Sequence, residues 1–202
     1  MPAFRLGLLG GTFDPPHLGH LVVAQEAFER LSLDQLIFLV AGIPPHKVGV
    51  VTSPPEIRME MTRAAAAGNP GFQVSGVELN RQGPSYTVDT LRQYRKAHPE
   101  ADLFFILGAD QLAEFHEWQD PPGIAELATL VAVGRDGVEP SEVSPTSVLP
   151  GFEFDFVSLP VPRIDISSSD IRARCREDRP IRYLVPDNVR KIIETHGLYR
   201  SI

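Results

Sequence analysis

The sequence has little cysteine, little tryptophan and no long apolar run. Its 202 residues include one cysteine and one tryptophan. A single cysteine excludes an internal disulfide and a cysteine-rich metal site. No stretch approaches the roughly 18 apolar residues of a membrane-spanning helix, and the short apolar stretch near the N-terminus ends in glycines, which favours a first strand over a signal peptide. We therefore expect a cytoplasmic protein without a membrane partner.

Positive charge is also scarce. The chain has 19 lysines and arginines against 26 aspartates and glutamates, which gives a net charge of −7 at pH 7. A broad nucleic-acid surface needs clustered excess lysine and arginine, so we expect no nucleic-acid partner. Any anionic ligand must then be held by local groups. The length allows one domain with a sizeable core, and the composition leaves a homo-oligomer open.

Strand-like and helix-like segments alternate along the chain, which predicts an α/β fold with a doubly wound parallel sheet. The predicted strands are Arg5–Leu9, Leu36–Val40, Phe72–Val77, Leu103–Leu107, Leu130–Val133 and Phe154–Ser158. The predicted helices are Leu18–Leu31, Glu56–Ala67, Thr87–His98, one that begins at Ser168 or Ser169, and Asp187–Thr195. Ligands bind such sheets at the carboxyl ends of the strands, so the segments after the strands are the candidate binding segments.

Two histidines lie where the first predicted strand meets the first helix. The run from Gly10 to His20 is GGTFDPPHLGH. Helix N-termini leave N–H groups unpaired and carry partial positive charge, which suits a polyphosphate. His17 and His20 are three residues apart and therefore face the same way on the first turn. The run lacks the Gly-Lys-Ser/Thr of a P-loop and the Gly-x-Gly-x-x-Gly of a dinucleotide fold, and no third ligand at zinc spacing accompanies the histidines.

Other polar residues follow the later strands, and each also has a purely structural explanation. Asp110 could contact a nucleotide or simply cap a helix. Three serines at the start of a late helix could grip phosphate with Arg172 or serve as an ordinary cap. Trp118 has polar neighbours, which favours a ring stacked on a planar ligand over a core tryptophan. Lys47 could contact phosphate or be a solvated loop charge.

The glycine–histidine run resembles the (H/T)xGH signature of the nucleotidyltransferase superfamily, in the form seen in bacterial nicotinate-nucleotide adenylyltransferases. Further segments support this resemblance across nearly the whole chain: Pro44–Lys47, Pro84–Thr87, Gly108–Asp110, Trp118, Ile166–Arg172 and Gly197–Arg200. It implies a Rossmann-like nucleotidyltransferase fold in one domain over residues 1–202, with a C-terminal helical portion from about 167. It also implies adenylyl transfer from ATP to nicotinate mononucleotide, which yields deamido-NAD and pyrophosphate.

The resemblance implies a role for each site residue. The catalytic residues would be His17, His20 and Arg172. ATP would be bound by Gly10, Gly11, Thr12, Phe13, Gly108, Asp110, Ile166, Ser167, Ser168 and Arg172. The mononucleotide would be bound by His46, Lys47, Tyr86, Thr87, Trp118 and Arg135. Mg²⁺ would accompany ATP, with no protein ligand assigned.

Two alternatives remain open at this point. The acceptor could be nicotinamide mononucleotide or pantetheine phosphate, although backbone amides at Tyr86 and Thr87 suit the carboxylate of nicotinate. The chain could also be a non-catalytic nucleotide-sensing protein of the same fold, which the intact His17, His20 and Arg172 disfavour. A bound NAD redox cofactor is not expected, because no acidic residue follows the second strand.

Overall fold

The six strands of the described residues run parallel in one sheet, with the order β3-β2-β1-β4-β5-β6. The computed structural model describes residues 2–42, 53–134, 148, 152, 154 and 156–200. The strands are β1 (Arg5–Gly11), β2 (Gln35–Val40), β3 (Phe72–Ser75), β4 (Asp102–Gly108), β5 (Thr129–Val133) and β6 (Phe156–Leu159). The order reverses between β1 and β4, which opens a crevice at their carboxyl ends. The predicted doubly wound sheet is thus confirmed.

The described helices match the predicted ones closely. They are α1 (Leu18–Arg30), α2 (Pro55–Ala66), α3 (Thr87–Ala97), α4 (Ala109–Ala113), α5 (Pro121–Leu127), α6 (Ser168–Arg176) and α7 (Asp187–Thr195), with a 3₁₀ turn at Phe115–Glu117. The sequence did not delimit α4 and α5, because helices of 5 and 7 residues are too short to show an apolar stripe.

Three predicted strands have wrong boundaries. The first continues to Gly11 instead of ending at Leu9, because Gly10 and Gly11 still pair with β2. The third strand ends at Ser75 instead of Val77, because Leu79 donates to the carbonyl of Gly76 at 2.9 Å and closes a turn there. The last strand is Phe156–Leu159 instead of Phe154–Ser158, because its pairing with β5 extends to Leu159, which lies buried opposite Val133. The apolar runs of the third and last strands are too short for the sequence to define where those strands end.

Both faces of the sheet are covered by helices, as continuous apolar strands require. On one face, Leu8, Phe105 and Leu130 pack with Leu91 of α3 and Ile124 of α5. On the other face, strand residues including Phe38 and Ile106 pack with buried residues of α1 and α2, which are Ala24, Ala27, Met59 and Ala66. The sheet is therefore packed on both faces, and the carboxyl ends of its strands lie at fixed positions from which a site can be built.

A third cluster attaches the C-terminal helices to the outer side of α2. Met61 of α2 is fully buried among Ile171 of α6 and Val189 and Ile193 of α7. This packing brings α6 beside the loop that follows β1. Among the described residues, no helix is long and apolar enough to cross a lipid bilayer.

Candidate active site at the carboxyl edge of the sheet

A cavity of about 1040 Å³ lies at the carboxyl edge of the sheet, beside the reversal between β1 and β4. Every predicted site residue that the structure describes lines it. These residues are Gly10, Gly11, Thr12, Phe13, His17, His20, Tyr86, Thr87, Gly108, Asp110, Trp118, Ile166, Ser167, Ser168 and Arg172. His46, Lys47 and Arg135 lie outside the described residues. The cavity is large enough for a nucleotide with a second ligand beside it.

The two histidine rings lie against each other at the start of α1. His17 is the N-cap residue and is 3% exposed, and its ring centroid lies 3.7 Å from that of His20. The backbone N–H of His17 donates to Nδ1 of His20 at 3.2 Å. A Cβ on Gly19 would lie 3.1 Å from the His17 ring, so the glycine between the histidines leaves room for that ring.

Gly11 has a different use from the one its sequence context suggests. A Cβ atom added to Gly11 would lie 2.7 Å from the ring of Phe13. Phe13 is 1% exposed and has a φ of 51°. The Phe13 ring also meets His20 edge-on, with centroids 5.1 Å apart. On its Cβ side Gly11 therefore makes room for an aromatic ring and not for a phosphate. Phe13 supports the His20 ring from within the core.

Hydrogen bonds tie the start of α6 to the loop after β1. Ser167 caps the helix by accepting from the N–H of Asp170 at 3.0 Å, and the Ser168 hydroxyl donates to the Pro15 carbonyl at 2.8 Å. Arg172 donates to the Asp14 carbonyl at 2.7 Å and to the Ser169 hydroxyl at 3.2 Å. A guanidinium has five N–H donors, so Arg172 keeps donors that can face a ligand in the cavity.

The opposite part of the cavity combines a helix start with an aromatic ring. Tyr86 is the N-cap residue of α3, where no side chain caps the helix. Trp118 is half-buried: its ring contacts Phe105 and Phe115 at centroid distances of 6.2 and 5.5 Å and also lines the cavity. The tryptophan is therefore partly a core residue and partly a wall of the cavity. This geometry allows a planar ligand to stack there.

A polar network that sequence reasoning missed supports the start of α3. The Thr90 hydroxyl donates to Glu78 at 2.8 Å, and Arg81 donates to the Thr90 hydroxyl at 2.8 Å and to the carbonyl of Tyr86 at 3.4 Å. Burial raises the pKa of the Glu78 carboxyl, although the hydrogen bond from Thr90 partly opposes this. Glu78 lines the cavity as well. Its charge state therefore bears on both the fold and the site.

Asp110 lies in the first turn of α4 and does not cap that helix. Gly108 is the N-cap residue, and its N–H donates to the side-chain oxygen of Gln111 at 3.2 Å. The Oδ1 atom of Asp110 is buried without a hydrogen-bond partner among the described atoms. A buried carboxylate oxygen without a partner is costly, so it suits a ligand that donates a hydrogen bond or a cation. The described residues contain no cluster of three or more metal-ligating side chains.

Asp14 is a buried carboxylate to which the sequence analysis gave no role. It is 2% exposed, and it accepts hydrogen bonds from the Ser53 N–H at 3.1 Å and from the Tyr199 hydroxyl at 2.6 Å. Burial and the nearby Asp14 charge raise the pKa of Tyr199, so its hydroxyl remains a donor. The sequence did single out the closing Gly197–Arg200 segment. Nothing in it indicated that its tyrosine contacts Asp14, which lies 185 positions earlier.

Arg58 is a second buried residue that was missed. It is 2% exposed and donates to three carbonyls, those of Thr12 at 2.9 Å, Ala41 at 2.8 Å and Ser53 at 3.2 Å. Burial lowers the pKa of Arg58, and the Asp14 carboxylate partly offsets this. Periodicity could not identify this residue, because Arg58 and Thr62 are polar and their burial on α2 shows only in the folded chain.

Comparisons with known proteins give a consistent result. The Cytidylyltransferase-like family model matches residues 8–174. A probable nicotinate-nucleotide adenylyltransferase of Thermus thermophilus is 51% identical over 97% of this chain and 100% of its own length. One of Thermomicrobium roseum is 44% identical over 98% of this chain and 92% of its own. Among solved structures, Plasmodium falciparum nicotinic acid mononucleotide adenylyltransferase complexed with NaAD has a TM-score of 0.79 at 17% identity, covering 97% of each chain.

Proposed function

We infer the function of this chain from its family, since it belongs to the cytidylyltransferase-like family and to the nicotinate-nucleotide adenylyltransferases within it. The chain joins ATP and nicotinate mononucleotide to give deamido-NAD and pyrophosphate. One observation carries this proposal. The paired His17 and His20, the Arg172 guanidinium, and the Tyr86 helix start beside Trp118 all line the same cavity. An end with two histidines and a guanidinium and an end with an aromatic ring, in one cavity, suit a reaction between a triphosphate and a pyridine nucleotide.

The proposed chemistry needs no protein nucleophile. A phosphate monoester with a second pKa near 6 is already charged at neutral pH. Its oxygen attacks the α-phosphorus of ATP, the bond from that phosphorus to the bridging oxygen breaks, and pyrophosphate leaves with the electron pair. The protein then acts by positioning the reactants in line and by stabilising charge on the transferred group. His17 and His20 are placed at the helix start where that charge would develop.

Arg172 and Asp110 are proposed to act on the ATP side. The N–H donors of Arg172 that Asp14 and Ser169 leave over would meet the β- or γ-phosphate. Mg²⁺ fits this site as a companion of ATP, because it binds through one or two carboxylates plus substrate phosphates and keeps several waters. The unpartnered oxygen of Asp110 would hold it. When bound, Mg²⁺ supplies positive charge to the leaving phosphates.

The start of α3 and Trp118 are proposed to choose the pyridine nucleotide. The first N–H groups of a helix lack intrahelical partners, and at Tyr86 no side chain takes them. They would donate to the ring carboxylate of nicotinate, whereas the amide of nicotinamide would present its own N–H donors. The pyridinium ring would stack on Trp118, with a cation–π attraction of roughly 0.5–2 kcal/mol.

The test is an acceptor panel with the unmodified protein. Pyrophosphate release and product mass are measured with ATP plus nicotinate mononucleotide, nicotinamide mononucleotide or pantetheine phosphate. We expect kcat/KM for the acid to exceed that for the amide by about 10⁴, because a mismatched buried polar group can discriminate that strongly. Equal values for acid and amide would overturn the assignment to nicotinate. Release of no pyrophosphate from any pair would favour a nucleotide-sensing protein.

Trp118→Ala tests whether the tryptophan supplies affinity for the pyridine ring while the start of α3 supplies the preference for the acid. We expect it to raise KM for both pyridine nucleotides and to leave the acid preference within about threefold of its original value, since the ring stacks on either substrate. Trp118→Phe is the matched control, because it keeps an aromatic face and should lose less affinity. Loss of the acid preference in Trp118→Ala would assign selectivity to the tryptophan instead of the α3 amides.

We also propose that the C-terminal helices belong to the same nucleotidyltransferase domain as the sheet. The apolar contacts of Met61 with α6 and α7, and the hydrogen bonds from α6 to the loop after β1, support this. The helical portion from about residue 167 then contributes Arg172 directly to the site. Neither part would bind ATP fully without the other.

A further inference from the structure

A hydrogen-bonded triangle joins three distant parts of the chain at the edge of the cavity, and its Asp14 corner lines the cavity. Its corners are Asp14 in the loop after β1, Ser53 before α2 and Tyr199 after α7. The Tyr199 hydroxyl donates to Asp14 at 2.6 Å and accepts from the Ser53 hydroxyl at 3.2 Å. The Ser53 N–H donates to the other carboxylate oxygen at 3.1 Å. Both oxygens of this buried carboxylate are therefore satisfied.

Asp14 also connects to the groups that would meet ATP. Its carbonyl accepts from Arg172 at 2.7 Å, and three residues further along the chain His17 is the N-cap residue of α1. The N–H of Leu18, the first residue of α1, donates to the carbonyl of Leu184 at 3.0 Å. Arg172 of α6 and Leu184 after α6 thus hold residues 12–20, the histidine loop, at two places. Tyr199 itself is not among the residues that line the cavity.

We propose that Tyr199 is a positioning residue for adenylyl transfer: through the Asp14 carboxylate it holds the loop after β1 so that His17 and His20 face the transferred phosphate. This inference rests on the proposed function. Loss of the hydroxyl leaves a buried carboxylate oxygen unsatisfied, which drives Asp14 to rearrange. A displacement of about 1 Å in the loop can cost roughly 100-fold in rate.

Tyr199→Phe is the test, with Tyr94→Phe as its matched control. Tyr94 is also half-buried and its hydroxyl bonds to Ser75, but it lies on α3, away from the histidine loop. Tyr199→Phe loses two hydrogen bonds of the phenol and Tyr94→Phe loses the one with Ser75, so both melting temperatures should fall, and that of Tyr199→Phe should fall further. We expect Tyr199→Phe to lower kcat at least about tenfold and Tyr94→Phe to stay within about twofold. Equal kcat values for the two variants would overturn the proposal.

A double-variant comparison shows whether Tyr199 acts through Asp14. Asp14→Asn also disrupts the triangle, so adding Tyr199→Phe to it should lower kcat little further. If the two losses multiply instead, Tyr199 acts independently of Asp14 and the proposal fails.

Hydrogen exchange gives a readout that does not depend on turnover. Amide exchange in residues 12–20 should be faster in Tyr199→Phe than in both Tyr94→Phe and the unmodified protein. Unchanged exchange would contradict the positioning role even if the acceptor panel succeeds. Faster exchange in a protein that forms no deamido-NAD would keep the positioning of the loop and reject the proposed reaction.

Discussion

The hydrogen bond from the His17 backbone N–H to Nδ1 of His20 selects the tautomer of the neutral His20 ring. Because Nδ1 of His20 accepts from the His17 backbone N–H, the neutral ring carries its proton on Nε2. The Phe13 ring packs edge-on against this imidazole. In the proposed reaction this tautomer would let the Nε2–H of His20 donate to a phosphate oxygen. Such preorganised donors contribute most where charge develops only in the transition state.

We expect His20→Ala to lower kcat on the order of 100-fold or more while KM for nicotinate mononucleotide changes little. Steady-state pyrophosphate release measures both constants. His196→Ala is the control, since that exposed histidine lies against Glu60 at 3.6 Å, away from the cavity. A His20→Ala enzyme with nearly normal kcat would show that His20 is not catalytic.

Arg172→Lys keeps the charge and should still impair ATP use. An ammonium cannot reproduce the planar fork that binds phosphate while it also bonds to the Asp14 carbonyl. We expect KM for ATP to rise and kcat to fall, both measured at saturating mononucleotide. Arg174→Lys is the control, because Arg174 pairs with Asp170 on the same helix at 2.9 Å and does not line the cavity. Unchanged constants in Arg172→Lys would reduce Arg172 to a surface charge.

At the scale of elements, three helix starts converge on one cavity. Helices α1, α3 and α6 begin at Leu18, Thr87 and Ser168. Each follows the carboxyl end of a parallel strand, which is β1, β3 or β6. Their positions could be predicted from sequence, because the apolar spacing and the flanking polar residues mark the start of each helix. What holds them there could not be predicted. The supports of α3 are a threonine, an arginine and a glutamate whose bonds depend on tertiary packing.

The Glu78 network gives the β3–α3 connection a predictable dependence on pH. Burial raises the pKa of Glu78, so the folded protein binds this proton more tightly than the unfolded chain does. Its contribution to the free energy of unfolding is therefore full below the ordinary glutamate pKa of about 4.3 and is lost as pH rises through the raised pKa. Glu78→Gln does not titrate.

We expect the stability of Glu78→Gln relative to the unmodified protein to increase as the pH rises above the ordinary glutamate pKa of about 4.3, and to level off once the pH has passed the raised pKa of Glu78. Urea unfolding at several pH values measures this difference, and subtraction removes the titration of all other carboxylates. Parallel stability curves for the two proteins would contradict a raised pKa at Glu78.

At the scale of the whole molecule, the contacts that sequence could not reveal are those between distant positions. Alternating apolar segments predicted the parallel sheet, and the polar residues after its strands predicted one shared edge. The sequence offers no local pattern for the contact of Asp14 with Tyr199. The burial of Arg58 could not be predicted either, because its three carbonyl partners lie in two loops, the one after β1 and the one between β2 and α2. Side-chain contacts across loops follow from the completed fold and not from periodicity.

The central place of β1 also has a consequence for the order in which the chain can fold during synthesis. Leu6 pairs with Gln35 on one side and with Leu103 on the other. Until residues 102–108 have left the ribosome, β1 is an edge strand whose backbone donors and acceptors have no partner on that side. Such non-local pairing delays folding and exposes a template for aggregation. Strand β1, which leads into the histidine loop, is thus synthesised before the strand that pairs with its second edge. Newly made chains are most prone to aggregate until β4 has been synthesised.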